Sequence, residues 1–229
     1  MSDYSRYAIY LVPDESALSR FGAEFLGWDI ARGTISTQMQ MLELPRPITE
    51  ITARPRKYGF HGTIKAPMRL AKGRDEAELV RVCHTLMATE EVFAVERLRL
   101  ARLGSFLALV PATDTSKLEA LARRVLEGLE PFRAPMTKAE RARRNPDRLS
   151  DQQRHLLDRW GYPYVLEEFR FHMTLTGPLS HAEARLTEIA LAPLLRPILA
   201  EPLKVASLCI CGERSDGHFE VVERVPLRA

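Results

Sequence analysis

Two segments of the chain alternate apolar and polar positions as half-buried strands do, because successive side chains of a strand point to opposite faces. The first is predicted over residues 58–70, and its apolar face consists of Phe60, Gly62, Ile64 and Ala66. The second is predicted over residues 165–176, and its apolar face consists of Phe169, Phe171, Met173 and Leu175. The opposite, polar faces consist of His61, Thr63 and Lys65 on the first strand and Arg170, His172, Thr174 and Thr176 on the second.

Both segments contain the same five-residue pattern, aromatic–His–x–Thr–aliphatic. It stands as Phe60-His61-Gly62-Thr63-Ile64 and again as Phe171-His172-Met173-Thr174-Leu175. One copy would carry little information. Two copies, each inside a predicted strand, indicate a duplicated half-site whose halves meet across a cleft.

The elements after each motif are predicted to follow the same order: helix, strand, turn, strand. After the first motif they are a helix over 74–88 and strands over 93–101 and 106–111. After the second they are a helix from 180 to about 191 or 195 and strands over 203–211 and 218–225. The chain opens with a predicted strand over 6–12 and a helix over 15–26 that Gly27 ends. Residues 28–56, interrupted by three prolines, are predicted to form a loop with one short strand.

A charged segment over about 131–161 lies between the halves and is predicted to be an insertion of two short helices. Capping boxes, in which Ser or Thr is followed three residues later by Glu or Gln, mark helix starts at Thr137 and Ser150. The same pattern predicts further helix starts at Ser116 and Ser180. Together the elements predict an α+β fold with two similar lobes, two mainly antiparallel sheets with helices outside, and a cleft between them. Residues 1–229 are expected to form one domain.

Composition agrees with a folded enzyme or binding protein. The chain has 229 residues, of which 45% are hydrophobic and 28% charged, so it can bury a sizeable core. A net charge of +3 permits an anionic ligand without demanding nucleic acid. Three cysteines without framework spacing, no signal-peptide pattern and no membrane-length apolar run predict a cytoplasmic protein with no membrane partner. Cys209 and Cys211, two residues apart on a strand, are interpreted as core residues.

The paired motifs suit phosphodiester chemistry. Two histidines facing one cleft can divide the work of base and acid, because their ordinary pKa lies close to neutral pH. A threonine two residues further on lies on the same face, where its hydroxyl can bond a phosphate oxygen. The candidate site is therefore His61 and His172 as catalytic residues, with Thr63 and Thr174 binding phosphate. The sequence lacks metal-ligand spacings, a Gly-Lys-Ser/Thr phosphate loop and a Gly-x-Ser-x-Gly elbow, so neither metal nor cofactor is predicted.

The two motifs resemble those of the two-histidine (2H) phosphoesterase superfamily, which is defined by paired His-x-Thr/Ser-hydrophobic motifs. Wider stretches around Arg6–Tyr10, Tyr58–Pro67, Arg141–Trp160 and Phe169–Gly177 resemble the bacterial branch encoded beside phosphonate-degradation genes. The resemblance implies a pseudo-symmetric bilobal fold. It also implies metal-independent action on 2′,3′-cyclic phosphates, RNA ends or other small cyclic phosphodiesters. Because the insertion lengthens the spacing between the motifs beyond that of the small RNA-acting members, a small phosphorylated molecule is favoured over RNA.

Several basic residues near the motifs leave two interpretations open. Lys65 and Arg170 could bind phosphate or lie exposed. Tyr58 is expected in the core, unless strand twist turns it to the cleft, and Thr176 is expected to be structural. The arginines of the insertion could form a solvated helical face, or a lid that clamps a second phosphate through Arg141, Arg144 or Arg148.

The leading hypothesis is a cyclic phosphodiesterase acting on a small, ribose-derived cyclic phosphate in phosphonate metabolism. One alternative is a module that binds a phosphorylated metabolite without turnover. The other is an enzyme that processes or ligates RNA ends, for which steep salt dependence of RNA binding would be the sign. The residues do not predict an oligomeric state or which histidine is the acid.

Overall fold

Both motif segments lie at the centre of a seven-stranded sheet in the computed structural model, which describes residues 4–228. In chain order the strands are β1 (Tyr7–Leu11), β2 (Trp28–Asp29), β3 (Thr34–Ile35), β4 (Gly62–Met68), β5 (Phe93–Val95), β6 (Leu98–Leu103), β7 (Phe106–Pro111), β8 (Met173–Thr174), β9 (Leu203–Val205), β10 (Ser207–Glu213) and β11 (Phe219–Pro226). The helices are α1 (Ala17–Leu26), α2 (Ile48–Ile51), α3 (Ala53–Arg56), α4 (Glu76–Met87), α5 (Ser116–Gly128), α6 (Lys138–Ala142), α7 (Asp151–Trp160) and α8 (His181–Ile198). Single 3₁₀ turns occupy Glu130–Phe132, Pro146–Arg148 and Leu166–Glu168.

The strand order of the large sheet is β11-β10-β1-β4-β8-β7-β6, and each neighbouring pair is antiparallel. The motif strands β4 and β8 are neighbours at its centre, where Gly62 pairs with Met173. The predicted α+β class with mainly antiparallel sheet is confirmed. The sheets of the two halves meet at the β4–β8 pair and continue as one sheet.

The two halves exchange their hairpins. The hairpin β6–β7 follows the first motif in sequence but pairs with β8 of the second. The hairpin β10–β11 follows the second motif but pairs with β1, on the side of the sheet that holds β4 of the first motif. The helices match this exchange, since α4 packs against β10 and β11 while α8 packs against β6 and β7. The order of elements predicted from the sequence therefore corresponds to a pseudo-symmetric arrangement in which each motif rests on elements from both halves.

Except for Ala66, which is half-buried, the apolar faces of the motif segments lie in the main core, which includes Phe60, Ile64, Phe171, Met173 and Leu175. Close packing explains the glycine of the first motif. A Cβ on Gly62 would lie 2.3 Å from the ring of Phe171, so only glycine leaves space for that ring. The two motifs are thus fitted to each other on the buried side as well as on the polar side.

Capping explains where most helices begin. The predicted capping boxes at Thr137, Ser150 and Ser180 are confirmed, each with both of its reciprocal hydrogen bonds. The predicted box at Ser116 is wrong, because the helix begins one residue earlier than a Ser116 cap would require. Ser116 is the first helical residue, and its hydroxyl donates to Asp114 Oδ2 at 2.5 Å.

The structure corrects two predictions of local structure. The second motif strand spans two residues and not twelve, because a 3₁₀ turn with Leu166 at φ +54° interrupts the extended chain before it. Residues 28–56 are mainly irregular, as predicted, but they contain two short paired strands, β2 and β3, where one was expected, and also the one-turn helices α2 and α3. Pro47 precedes α2 and Pro55 lies in the first turn of α3, where a missing N–H breaks no helical bond.

Two further predictions concern the burial of cysteines and the absence of membrane-spanning segments. Cys83, Cys209 and Cys211 are buried as free thiols, and burial raises the pKa of Cys209 to about 11. The interpretation of Cys209 and Cys211 as core residues is confirmed. Among residues 4–228, none of the helices has both the length and the apolar character that spanning a bilayer requires.

Candidate active site

Pairing between the motif strands places the four candidate residues on one face. Gly62 is opposite Met173. One residue further in either direction, the same antiparallel register puts His61 across from Thr174 and Thr63 across from His172. Residues in such positions have Cβ atoms about 4.5–5.5 Å apart and point to the same side of the sheet. Each histidine therefore faces the threonine of the other motif.

This face forms the floor of a cleft of about 610 Å³. Its floor includes His61, Thr63, Thr174 and Thr176, and aromatic walls are provided by Tyr10, Tyr58, Phe106 and Tyr162. His172 is absent from the cleft lining, but its ring lies against Phe106, with centroids 5.8 Å apart. The structure thus brings the four motif residues to one locality, with His172 at its edge.

His61 is held by three contacts. Its Nδ1 lies 3.0 Å from the carbonyl oxygen of Gly59, and because a carbonyl can only accept, Nδ1 carries the hydrogen. Its Nε2 lies 3.0 Å from Thr63 Oγ1, and its ring stacks on Tyr10 with centroids 3.6 Å apart. Burial lowers the pKa of His61 to about 4, and the nearby positive charge of His172 acts in the same direction. At neutral pH the ring is neutral, with a lone pair on Nε2.

His172 repeats part of this arrangement. Its Nδ1 donates to the carbonyl oxygen of Arg170 at 2.7 Å, two residues upstream, as Nδ1 of His61 does to Gly59. In both half-sites the backbone therefore fixes the same ring nitrogen and leaves Nε2 for chemistry. Phe106 meets the His172 ring at a tilt of 48°, whereas Tyr10 lies nearly parallel to His61.

Thr176 is structural, in agreement with the sequence-based expectation. Its side chain is buried, and its Oγ1 accepts a hydrogen bond from the backbone N–H of Leu107 at 3.0 Å. That bond attaches the end of the second motif to β7. The hydroxyl is consequently occupied, although the residue borders the cleft.

Lys65 is not on the polar face, which corrects the prediction that it shares a face with His61 and Thr63. Between the pairs Tyr10–Thr63 and Ile9–Lys65, β1 advances one residue while β4 advances two. This bulge turns Lys65 to the buried side, where its ammonium donates to Leu126 O at 3.1 Å and Glu130 Oε2 at 3.3 Å. Burial lowers the pKa of Lys65 to about 8, against the opposing effect of Glu130.

The two interpretations left open for Arg170 and for Tyr58 have different outcomes. Arg170 lies outside the cleft, whereas Tyr58 both packs and lines the cleft. The guanidinium of Arg170 donates to the backbone oxygens of Glu167 and Phe169, and the residue does not line the cleft. Both interpretations of Tyr58 hold, because its ring stacks on Phe219 at 5.4 Å while the residue also lines the cleft.

Of the three arginines predicted for a lid, the structure brings one to the cleft. Arg144 lines it, with its guanidinium 5.0 Å from the ring centre of Tyr162. Arg141 instead pairs with Asp158 at 2.8 Å outside the cleft, and Arg148 is exposed and does not line it. The neighbouring Arg143 also lines the cleft but was not among the three arginines predicted for the lid, although it belongs to the same basic cluster.

The cleft is strongly basic. Six arginines line it: Arg6, Arg54, Arg69, Arg133, Arg143 and Arg144. Three of them are neutralised, in the pairs Arg6–Glu213, Arg69–Glu140 and Arg133–Glu130. Arg54, Arg143 and Arg144 form no ion pair with any residue in the described range 4–228. Within that range, no group of three or more His, Cys, Asp or Glu side chains is placed to hold a metal ion.

Tyr10 and Arg6 also line the cleft but were not among the site residues predicted from the sequence, although alternation along β1 places them on one face. Arg6, Ala8 and Tyr10 alternate along β1 and share the face that β1 presents beside Thr63, since Tyr10 pairs with Thr63. The strand is apolar on both faces over Tyr7–Leu11, so its alternation resembled that of a fully buried strand. Only the pairing of β1 with β4 places Tyr10 beneath His61.

Comparison with known proteins places the chain in a family. Residues 63–220 match the family described as a protein of unknown function (DUF1045). The chain belongs to this family. It is also 35% identical over 229 residues to the ribose 1,5-bisphosphate phosphokinase PhnN of Janthinobacterium sp. (strain Marseille), covering 97% of this chain and 51% of that protein.

A second relative carries the same name. The ribose 1,5-bisphosphate phosphokinase PhnN of Laribacter hongkongensis (strain HLHK9) is 32% identical over 191 residues, covering 78% of this chain and 41% of that protein. The chain therefore spans about half the length of the curated relatives it matches. A solved structure described as "Crystal structure of phosphoesterase" aligns with a TM-score of 0.45 and 13% identity, covering 99% of both chains.

Proposed function

We propose that this protein is a metal-independent cyclic phosphodiesterase that opens a small, ribose-derived cyclic phosphate. The observation that carries the proposal is the matched pair of histidines. Each has Nδ1 bonded to the carbonyl two residues upstream, each lies across from a threonine of the other motif, and the cleft that His61 lines, with His172 at its edge, is basic. Such a site can hold one phosphodiester between two imidazoles.

The difference between the histidines supports a division of their roles. His61 is neutral at pH 7 and its Nε2 can accept a proton from a water molecule, so it is the general base. The water oxygen attacks phosphorus, the bond from phosphorus to the leaving ring oxygen breaks, and His172 donates the proton that the leaving oxygen needs. Thr63 and Thr174 hold the non-bridging oxygens as negative charge grows on them. One diester and one water give one phosphate monoester.

The substrate class is supported by the names of the relatives. They are ribose 1,5-bisphosphate phosphokinases, and this chain resembles about half of their length. Opening a cyclic phosphate that includes the anomeric oxygen of ribose 5-phosphate yields a ribose bisphosphate. A hydrolase of this type would therefore supply the kind of molecule that such a kinase consumes, which fits a role in phosphonate breakdown.

The test is an assay with ribose cyclic phosphates and 2′,3′-cyclic nucleotides, with products identified by ³¹P NMR. Wild type should form a phosphate monoester in the presence of EDTA, and His61→Ala and His172→Ala should not. Full activity in either variant would contradict the mechanism. A ligand that stabilises wild type but is recovered intact after long incubation would favour a binding module. Preference for RNA ends over ribose cyclic phosphates would favour an RNA-processing enzyme.

A further inference from the structure

The insertion presents to the cleft two arginines that form no ion pair within residues 4–228, and two ion pairs fix the segment that carries them. Glu140 in α6 accepts two hydrogen bonds from Arg69, at 2.8 and 3.0 Å, which attaches α6 to the chain just after β4. Arg141 pairs with Asp158, which attaches α6 to α7. The helix is thus held on two sides immediately before Arg143 and Arg144.

The backbone at these two arginines is also ordered by hydrogen bonds. The N–H of Arg143 donates to Ala139 O at 3.1 Å, and that of Arg144 donates to Arg141 O at 3.0 Å. Asn145 follows in the left-handed region at φ 47°, which ends the helix and turns the chain away. The guanidinium groups therefore project from a preformed turn, so a ligand would have little backbone left to order.

Neighbouring aromatic residues locate this turn on the His61 side of the cleft. Arg144 lies over the ring of Tyr162. Tyr162 lines the same cleft as Tyr58, His61 and Tyr10, the residue that stacks on His61. Arg143 lines the cleft together with Arg6, whose hydrogen bonds to Glu213 are the main cause that lowers the pKa of that carboxylate, and Arg143 acts in the same direction. The two arginines accordingly lie in the same cleft as the motif site, on a different segment of the chain.

From this arrangement we infer that Arg143 and Arg144 form a second anion subsite that binds a phosphate monoester carried by the substrate. The inference rests on the proposed function and names its substrate class: a small cyclic phosphodiester with a second, terminal phosphate. A cyclic diester bears one negative charge, which the motif site can hold. A phosphate monoester bears about −1.5 to −2 charges at pH 7 and three acceptor oxygens, which suit two guanidinium groups.

The test compares two substrates, a ribose cyclic phosphate with a 5-phosphate and the same compound without it. Wild type should prefer the first. The double variant Arg143→Gln/Arg144→Gln should lower the ratio of the two kcat/KM values by about 100-fold, since each charged hydrogen-bonding group contributes about tenfold or more. The Tm of each variant should be measured as well, so that a folding defect is recognised.

Two control variants separate this subsite from general electrostatics. Arg148→Gln removes a charge from the same insertion outside the cleft, and it should leave the ratio unchanged. Arg54→Gln removes an unpaired arginine of the cleft near Gly177, close to the second motif, and it should lower the ratio less than the double variant does. Equal kcat/KM values for both substrates in wild type, or an equal loss of ratio in Arg148→Gln or Arg54→Gln, would overturn the inference.

Failure of the proposed function would look different. If wild type hydrolyses neither compound, the phosphodiesterase activity is wrong, and binding of ribose 5-phosphate is then measured by calorimetry. Binding that is lost in Arg143→Gln/Arg144→Gln and retained in Arg148→Gln would still support the subsite. Binding that is absent in wild type, or unaffected by the double variant, would overturn it.

Discussion

The two half-sites have the same backbone frame and different surroundings. In both, Nδ1 bonds a carbonyl two residues upstream. The flanking strands differ, because β1 places Tyr10 opposite Thr63 whereas β7 places Ala108 opposite Thr174. The large ring of Tyr10 stacks nearly parallel on His61, whereas His172 is met by the tilted ring of Phe106, at a longer centroid distance of 5.8 Å. Duplication thus supplies two equal groups, and their neighbours make them chemically unequal.

That inequality is what acid–base catalysis needs. Two identical imidazoles would titrate together, and the required state, one neutral and one protonated, would be a minor form at most pH values. Burial of His61 against Tyr10 lowers its pKa, so neutrality of this ring does not depend on the state of its partner at pH 7. We therefore expect substitutions in the two half-sites to differ in the property they change, catalysis or stability, as well as in the size of the change.

The largest effect is expected at the histidines themselves. His61→Asn and His172→Asn should each lower kcat by about 100- to 10,000-fold, because each removes one proton-transfer group. The double variant should lose little more than the worse single variant, because the two groups act as a unit. Steady-state kinetics on the cyclic substrate measures this. Effects that multiply in the double variant would mean that the histidines act independently.

The next effect concerns stability at acid pH. Because the pKa of His61 is about 4 in the folded protein and about 6.5 in the unfolded chain, the unfolded chain binds the proton first as pH falls. The contribution of the neutral ring is present above pH 6.5 and is lost between about 6.5 and 4, by up to about 3 kcal/mol. Urea unfolding between pH 7 and 4 should show a shallower pH dependence in His61→Asn than in wild type. His172→Asn is the matched control, and a dependence equally shallow in that variant would remove the proposed difference between the half-sites.

The buried side of the motifs offers a third comparison. Gly62 and Met173 lie between the histidine and the threonine of the two motifs, and they pair with each other across β4 and β8. The Phe171 ring fills the space that a side chain at Gly62 would occupy. Gly62→Ala should therefore destabilise the protein by about 1–3 kcal/mol through overpacking. The same substitution should cost much less in a Phe171→Ala background, where the ring is gone. A double-mutant cycle by urea unfolding measures this coupling, and additive effects would mean that the ring does not set the requirement for glycine.

Local signals in the sequence were sufficient for much of this frame. The faces of the motif strands, the repeated order of elements and the three helix starts at Thr137, Ser150 and Ser180 follow from alternation and capping, which act over a few residues. The failures depend on distant partners. The bulge that buries Lys65 exists only in the pairing of β4 with β1.

The same limit applies to the insertion. Composition identifies a basic segment but cannot say which arginines face the cleft. That selection is made by Asp158, which holds Arg141 outside, and by Arg69, which holds Glu140 and so positions the turn at 143–144. Both partners lie well away from these residues in the chain. Similarly, Tyr10 joins the site only because β1 lies beside β4.

The smallest effect is expected at the threonines, and it tests how far the inequality extends. Thr63→Val and Thr174→Val should each lower kcat/KM by about tenfold, because each loses one hydrogen bond to a charged phosphate. The Thr63 hydroxyl also donates to Nε2 of His61 and so stabilises the neutral ring, so Thr63→Val alone should move the His61 limb of the pH profile of kcat/KM to higher pH. Thr176→Val is the control. Its hydroxyl accepts from the backbone N–H of Leu107, so its loss should lower Tm and leave kcat/KM unchanged. Equal losses and unshifted pH profiles in Thr63→Val and Thr174→Val would confine the inequality to the two imidazoles, whereas unequal losses would extend it to the bound phosphate.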